Sequence, residues 1–128
     1  MQRPSELFST VPSALPLLWT EEGKVRSEEV AKVLDFSSGD FARAAQLPSK
    51  GFSLKAELPK DVEHRVREWV AVIEEVGRFF EGDVRKTALW FRIPNPLLGN
   101  IEPRLMIQYG RAQKLLQIVR SEIAGEVA

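Results

Sequence analysis

The side chains best suited to chemistry are scarce in this chain. His64 is its only histidine, and cysteine is absent. One imidazole cannot build a histidine metal cluster, and a Ser-His-Asp relay would have to use His64 alone. That residue stands between Glu63 and Arg65 on the charged face of a long helical pattern, the setting of a solvated histidine. Two adjacent carboxylate pairs fall in helical patterns, Glu28-Glu29 and Glu74-Glu75. Neighbours on a helix point about 100° apart, so neither pair faces itself as acid/base or two-metal chemistry requires, and both read as solvated faces. Gly99, Gly110 and Gly125 follow no strand and form no phosphate-binding pattern. No catalytic residue, metal or cofactor is expected. The lack of thiols removes disulfides and suits a reducing cytoplasm.

Eighteen basic and eighteen acidic side chains cancel, which leaves no global field to hold nucleic acid. Up to Pro59 there are seven Lys/Arg against eight Asp/Glu, and beyond it eleven against ten. Phosphate contacts would therefore be local, and Arg43, Lys50 and Lys55 are the candidates. The apolar run from Val11 to Trp19 is broken by Pro12 and Pro16, so neither a membrane span nor a signal sequence is expected.

Helical patterns must position whatever function exists, since no segment alternates apolar and polar residues over a strand's length. Residues 1–23 carry Pro4, Pro12 and Pro16 without helical period and read as a largely mobile arm, ordered where Leu17, Leu18 and Trp19 pack. A helix starts at Ser27 as N-cap and buries Val30, Val33 and Leu34; Ser37 or Ser38 caps a second one through Leu47, ended by Pro48. This pair over residues 24–58 has the layout of a helix-turn-helix unit. A packed hairpin without a DNA role has the same layout, and Gly51-Phe52-Ser53 makes a poor core for a third, base-reading helix.

From residue 59 the pattern strengthens. Lys60 to Phe80 is the longest helix, with Val62, Val66, Trp69, Val70, Ile73 and Val76 along one face. Trp69 reads as core. Gly82-Asp83 closes it, and Asp83 caps a helix through Phe91. Then comes Trp90-Phe91-Arg92-Ile93-Pro94-Asn95-Pro96-Leu97-Leu98-Gly99. Pro94 and Pro96 push Ile93 and Asn95 out of the helical region, the chain turns at Gly99-Asn100, and helix resumes. This is a rigid apolar corner between helices. Beside it Trp90 is either core or a half-buried anchor for a partner.

The corner, with Pro103-Arg104-Leu105-Met106, Gly110-Arg111-Ala112, Leu115-Leu116 and Ile123-Ala124-Gly125 after it, resembles the C-terminal toxin-binding domain of the Xre/MbcA/ParS antitoxin family. The resemblance covers about the last two-thirds of the chain. Phe91 stands where that family carries Leu, and Ile101-Glu102 replaces a more polar lead-in to Pro103. It implies an all-α protein that is not an enzyme, with a toxin-binding domain over residues 59–128. The implied partner is a cognate toxin of the RES class, which consumes NAD, and operator DNA is a second implied partner. A homodimer is the expected assembly. Toxin contacts would fall on Trp90, Pro94, Asn95, Pro96, Leu98, Gly99, Arg111, Leu115, Gly125 and Glu126. The tail from Gly125 to Ala128 is expected to leave the helix through a left-handed glycine and reach into the toxin's cleft. Two other readings of the same sequence are a DNA-binding regulator without a toxin and a structural all-α oligomerisation module.

Overall fold

The structure is a computed structural model describing residues 13–127, the side chains of Glu126 and Val127 excepted. The first half of the expected arm, residues 1–12, lies outside the described residues, as do Ala128 and the side chain of Glu126. Among the described residues six α-helices carry the fold: α1 (Ser27–Leu34), α2 (Ser38–Ala44), α3 (Lys60–Phe79), α4 (Val84–Arg92), α5 (Pro103–Gln108) and α6 (Ala112–Val127). Pro16–Leu18 and Pro96–Leu98 form single 3-10 turns. Among the described residues there is no strand, only two isolated bridges, Trp19 with Val25 and Asn95 with Ile101. The all-α expectation holds. No helix among the described residues is long and apolar enough to cross a membrane.

The long helix α3 is the central beam, and α6 packs along it. Its expected apolar face is buried, Val66 and Ile73 completely and Trp69 at 2% exposure. Trp69 also ties the first helices to the beam, because the rings of Phe36 and Phe41 meet it edge-on at 6.1 and 5.1 Å and Phe52 stacks on Phe41. Helix α1 packs on α4 and α2 on α5, so residues 24–58 and 59–127 share one buried core. Two arginines reinforce that seam: Arg92 donates to the carbonyl of Lys32 and Arg104 to that of Asp35, at the carbonyl end of α1 where a helix dipole favours cations.

Several boundaries depart from the sequence reading. Arg26, not Ser27, is the N-cap of α1, and Ser27 is its first, buried residue with no capping bond. Helix α2 ends three residues before Leu47, because Gln46 takes a left-handed backbone (φ 61°) and the Leu47 amide folds back onto the Ala42 carbonyl. Residues 45–59 contain no helix, as the weak pattern around Gly51 implied. The start of α2 is as expected: Ser37 accepts from the Asp40 amide, and Asp40 accepts from the Ser37 amide, both at 3.0 Å.

That capping box gives a pH prediction. The Ser37 bonds, with Arg43 alongside, hold the Asp40 carboxyl below its ordinary value. A carboxyl depressed by folding contributes stability above its unfolded pKa and loses it as pH falls through the folded one. Asp40→Ala should therefore cost about 1 kcal/mol at neutral pH. Denaturant melts of variant and parent should converge as pH drops below the usual aspartate range; a gap that persists in acid would show that the box contributes by packing instead.

Residues 13–19 of the arm pack against the helices. Leu15 and Leu18 are buried in the common core, and the strap is anchored on one carboxylate. Glu74 accepts hydrogen bonds from the Ser13 hydroxyl, the Ala14 amide (2.9 Å) and the Trp19 indole N–H (2.9 Å). Glu74 is itself buried, which corrects its reading as part of a solvated pair; Glu75 keeps to the surface side and pairs with Arg78 and Arg120. Gly77, one turn on, lets the strap approach: a β-carbon there would stand 2.9 Å from Leu15 Cδ1.

Candidate docking groove

The corner forms as its prolines dictate. Ile93 and Asn95 are extended (ψ 129° and 124°), and Gly99 and Asn100 both turn left-handed (φ 72° and 65°). Asn95 is the stitch that closes the loop. Its amide donates to the Ile101 carbonyl at 3.0 Å, its own carbonyl accepts from the Leu98 and Asn100 amides at 2.9 Å each, and its side-chain oxygen accepts from the Leu97 amide at 2.9 Å. A loop whose polar groups are answered internally is preorganised and can present apolar side chains outward without rearranging.

Between this corner, the last turn of α3, the outer face of α4 and the second half of α6 lies an apolar groove of about 190 Å³. Its lining comes from Val76, Phe79 and Phe80 at the end of α3, Trp90 of α4, Asn95, Leu97 and Leu98 of the corner, and Leu115, Ile118, Val119, Glu122 and Ile123 of α6. Leu115 is fully buried, whereas Phe79 and Leu97 stand out at 52% and 60% exposure. Trp90 is half-buried, its ring edge-on to the fully buried Phe91 at 5.0 Å. Leu89, Ile93 and Ile101 add further exposed apolar surface around the corner. Single exposed apolar residues are ordinary, whereas a cluster of them beside an apolar groove is a candidate surface for docking.

Of the residues singled out from sequence, Trp90, Asn95, Leu98 and Leu115 line this groove. Pro94, Pro96 and Gly99 build the corner behind it and are exposed. Arg111 is exposed at the start of α6, away from the groove lining. Gly125 does not redirect the chain: its backbone is helical, and α6 continues to Val127. A glycine inside a helix costs about 1 kcal/mol, too little to end it with no breaker after it. The expected free tail is thus helical as far as Val127. Phe79, Leu97, Ile118 and Glu122 were missed; Ile118 follows Leu115 at helical spacing, which is a usable signal, while Phe79 sits beside a core position and carried none.

The N-terminal cations are hemmed in by acids. Arg43 donates to Asp40 at 2.6 Å. Lys55 shares a shallow polar basin with Glu28, Glu29, Glu57 and Glu63, where Lys24 already pairs with Glu57. That pairing raises the Lys24 ammonium and lowers the Glu57 carboxyl relative to their ordinary values. Lys50 is exposed in the turn before Gly51. His64 is exposed, and among the described residues no group of three or more potential ligands could hold a metal. Comparison of the chain with known protein families, curated proteins and solved structures finds no match.

Proposed function

We propose that this protein acts by docking, as an antitoxin that covers a partner enzyme with its corner and groove. The observation that carries the reading is the concentration of exposed apolar side chains, Phe79 and Leu97 foremost, around a groove whose one wall is a hydrogen-bond-locked loop. Trp is one of the residue types enriched among interface anchors. The sequence resemblance supplies the partner class: a RES-type toxin that consumes NAD, silenced by occlusion of its active-site entrance, with no chemistry performed by this chain. Repression of its own operon would add Arg43, Lys50 and Lys55 as phosphate contacts. The pairing of Arg43 with Asp40 and the carboxylates around Lys55 oppose phosphate binding there, so the proposal rests on docking.

The test is co-expression with the product of the adjacent open reading frame. That product alone should arrest growth and deplete cellular NAD, and the intact chain should restore both. Phe79→Asp and Leu97→Asp, which place a charge on exposed positions that the fold does not need, should remove the rescue while leaving helical circular dichroism unchanged. Rescue undiminished in both variants would refute the groove as the docking surface; a neighbour that is harmless and leaves NAD intact would refute the partner class.

A further inference from the structure

The groove is open among the described residues, and the chain enters the fold close to it. Ser13 and Ala14 are held on Glu74, and the Ala14 carbonyl lies against the turn that ends α3: a β-carbon on Gly82 would stand 3.1 Å from that oxygen. Phe79 and Phe80, which line the groove, immediately precede that turn. Residues 1–12 therefore join the fold at the end of α3 that supplies part of the groove lining.

That segment carries two adjacent large apolar residues, Leu7 and Phe8, at a useful distance. Phe8 is five residues and Leu7 six from Ser13, so an extended chain can carry them at most about 17–20 Å from it. A helix with its side chains is about 10–12 Å across, so this reach suffices to pass over the end of α3 to its other side. Val11, two residues from Ser13, falls short. Pro4 and Pro12 bracket the pair and reduce the chain entropy that docking would cost. The groove, at about 190 Å³, is smaller than the roughly 300–1,000 Å³ of small-molecule pockets and suits one or two side chains. A tether this short holds them at roughly millimolar effective concentration, so a contact too weak to persist between separate molecules is populated within one chain.

We infer that in the free chain residues 1–12 double back over the end of α3 and seat Leu7 and Phe8 in the groove, in equilibrium with an open form. A docking partner then binds only the open fraction, and the segment lowers its apparent affinity by competing for one surface. Occupancy of the groove stands on the placement of Ser13 and Ala14 and on the reach of the segment, whereas the competition rests on the reading of the groove as a docking surface.

The chain has no cysteine, so Ser9→Cys gives a nitroxide label a single site on the full chain. The label should broaden the indole N–H resonance of Trp90, in the groove, and spare that of Trp69, which meets Phe36 and Phe41 about 15 Å along α3 from Phe79. Adding Leu7→Asp and Phe8→Asp should abolish the broadening with helical circular dichroism unchanged. Without the label, the same two aspartates should tighten binding of the adjacent-gene product several-fold. Broadening at neither indole or at both alike, broadening indifferent to the aspartates, or equal broadening when label and isotope sit on different chains, as a second copy would give, overturns the inference. The two readings fail separately. Occupancy reported by the label with partner affinity indifferent to the aspartates loses the competition and the groove as docking surface, whereas an unbroadened Trp90 with rescue still dependent on Phe79 loses only the occupancy.

Discussion

Phe91→Ala is expected to lower folding stability by about 3–5 kcal/mol, whereas Trp90→Ala, one residue earlier, should cost about 1–2 kcal/mol of stability but at least about 2 kcal/mol of partner affinity. The two rings touch edge-on, yet they face different media. Phe91 is fully enclosed by the core shared between α1 and the C-terminal helices, so its removal leaves a cavity that a locked proline corner cannot collapse into. Trp90 is half-buried on the groove wall, and truncating it mostly enlarges a groove already open to water. Guanidinium unfolding gives the first quantity, and titration of the adjacent-gene product gives the second. Equal destabilisation by the two variants with normal binding would mean that Trp90 is core and that the groove has no anchor.

The second large effect is expected at Glu74. Its carboxylate is buried and answers three donors of the strap, from Ser13, Ala14 and Trp19. Glu74→Ala strands the indole and amide N–H groups in a part-buried site. A loss of about 1–3 kcal/mol for each N–H left unanswered follows. Glu74→Gln keeps one acceptor oxygen but turns an NH₂ toward a donor, and should fall between. Because the strap seats Leu15 and Leu18 in the core, its release has a local signature: the Trp19 indole N–H resonance should lose its protection from solvent exchange. Wild-type stability of Glu74→Ala with that proton still protected would show that Leu15 against Gly77, and not the carboxylate, holds the strap.

Local physics made much of this molecule legible from its sequence. The long helix from Lys60, the capping of α2 by Ser37 and of α4 by Asp83, the extended residues before Pro94 and Pro96, and the left turn at Gly99-Asn100 all depend on residues within about a turn of one another. Trp90 was identifiable as a possible anchor from the short-range corner beside it, whereas Asn95, Leu98 and Leu115 were singled out by the family resemblance. The end of α6 was misjudged because a glycine permits a cap without requiring one, and the end of α2 because Gln46 adopts a conformation its side chain does not favour.

What only the tertiary structure decided is which medium each side chain meets. Glu74 and Glu75 are chemically alike and adjacent, and their charge alone assigns both to solvent, although Glu74 lies one turn beyond the buried Val70. One became the buried anchor of the strap because Ser13, 61 residues away, passes over it, while the other stayed with Arg78 and Arg120. Arg92 and Arg104 found carbonyls of α1 at separations of 60 and 69 residues, and nothing near either arginine announces that use. The groove likewise belongs to no single segment, since its walls come from α3, α4, the corner and α6. Helix caps and proline corners are fixed by neighbours along the chain and can be read there. Burial, and the docking surface left where burial stops, are fixed by neighbours in space, which the folded core alone determines.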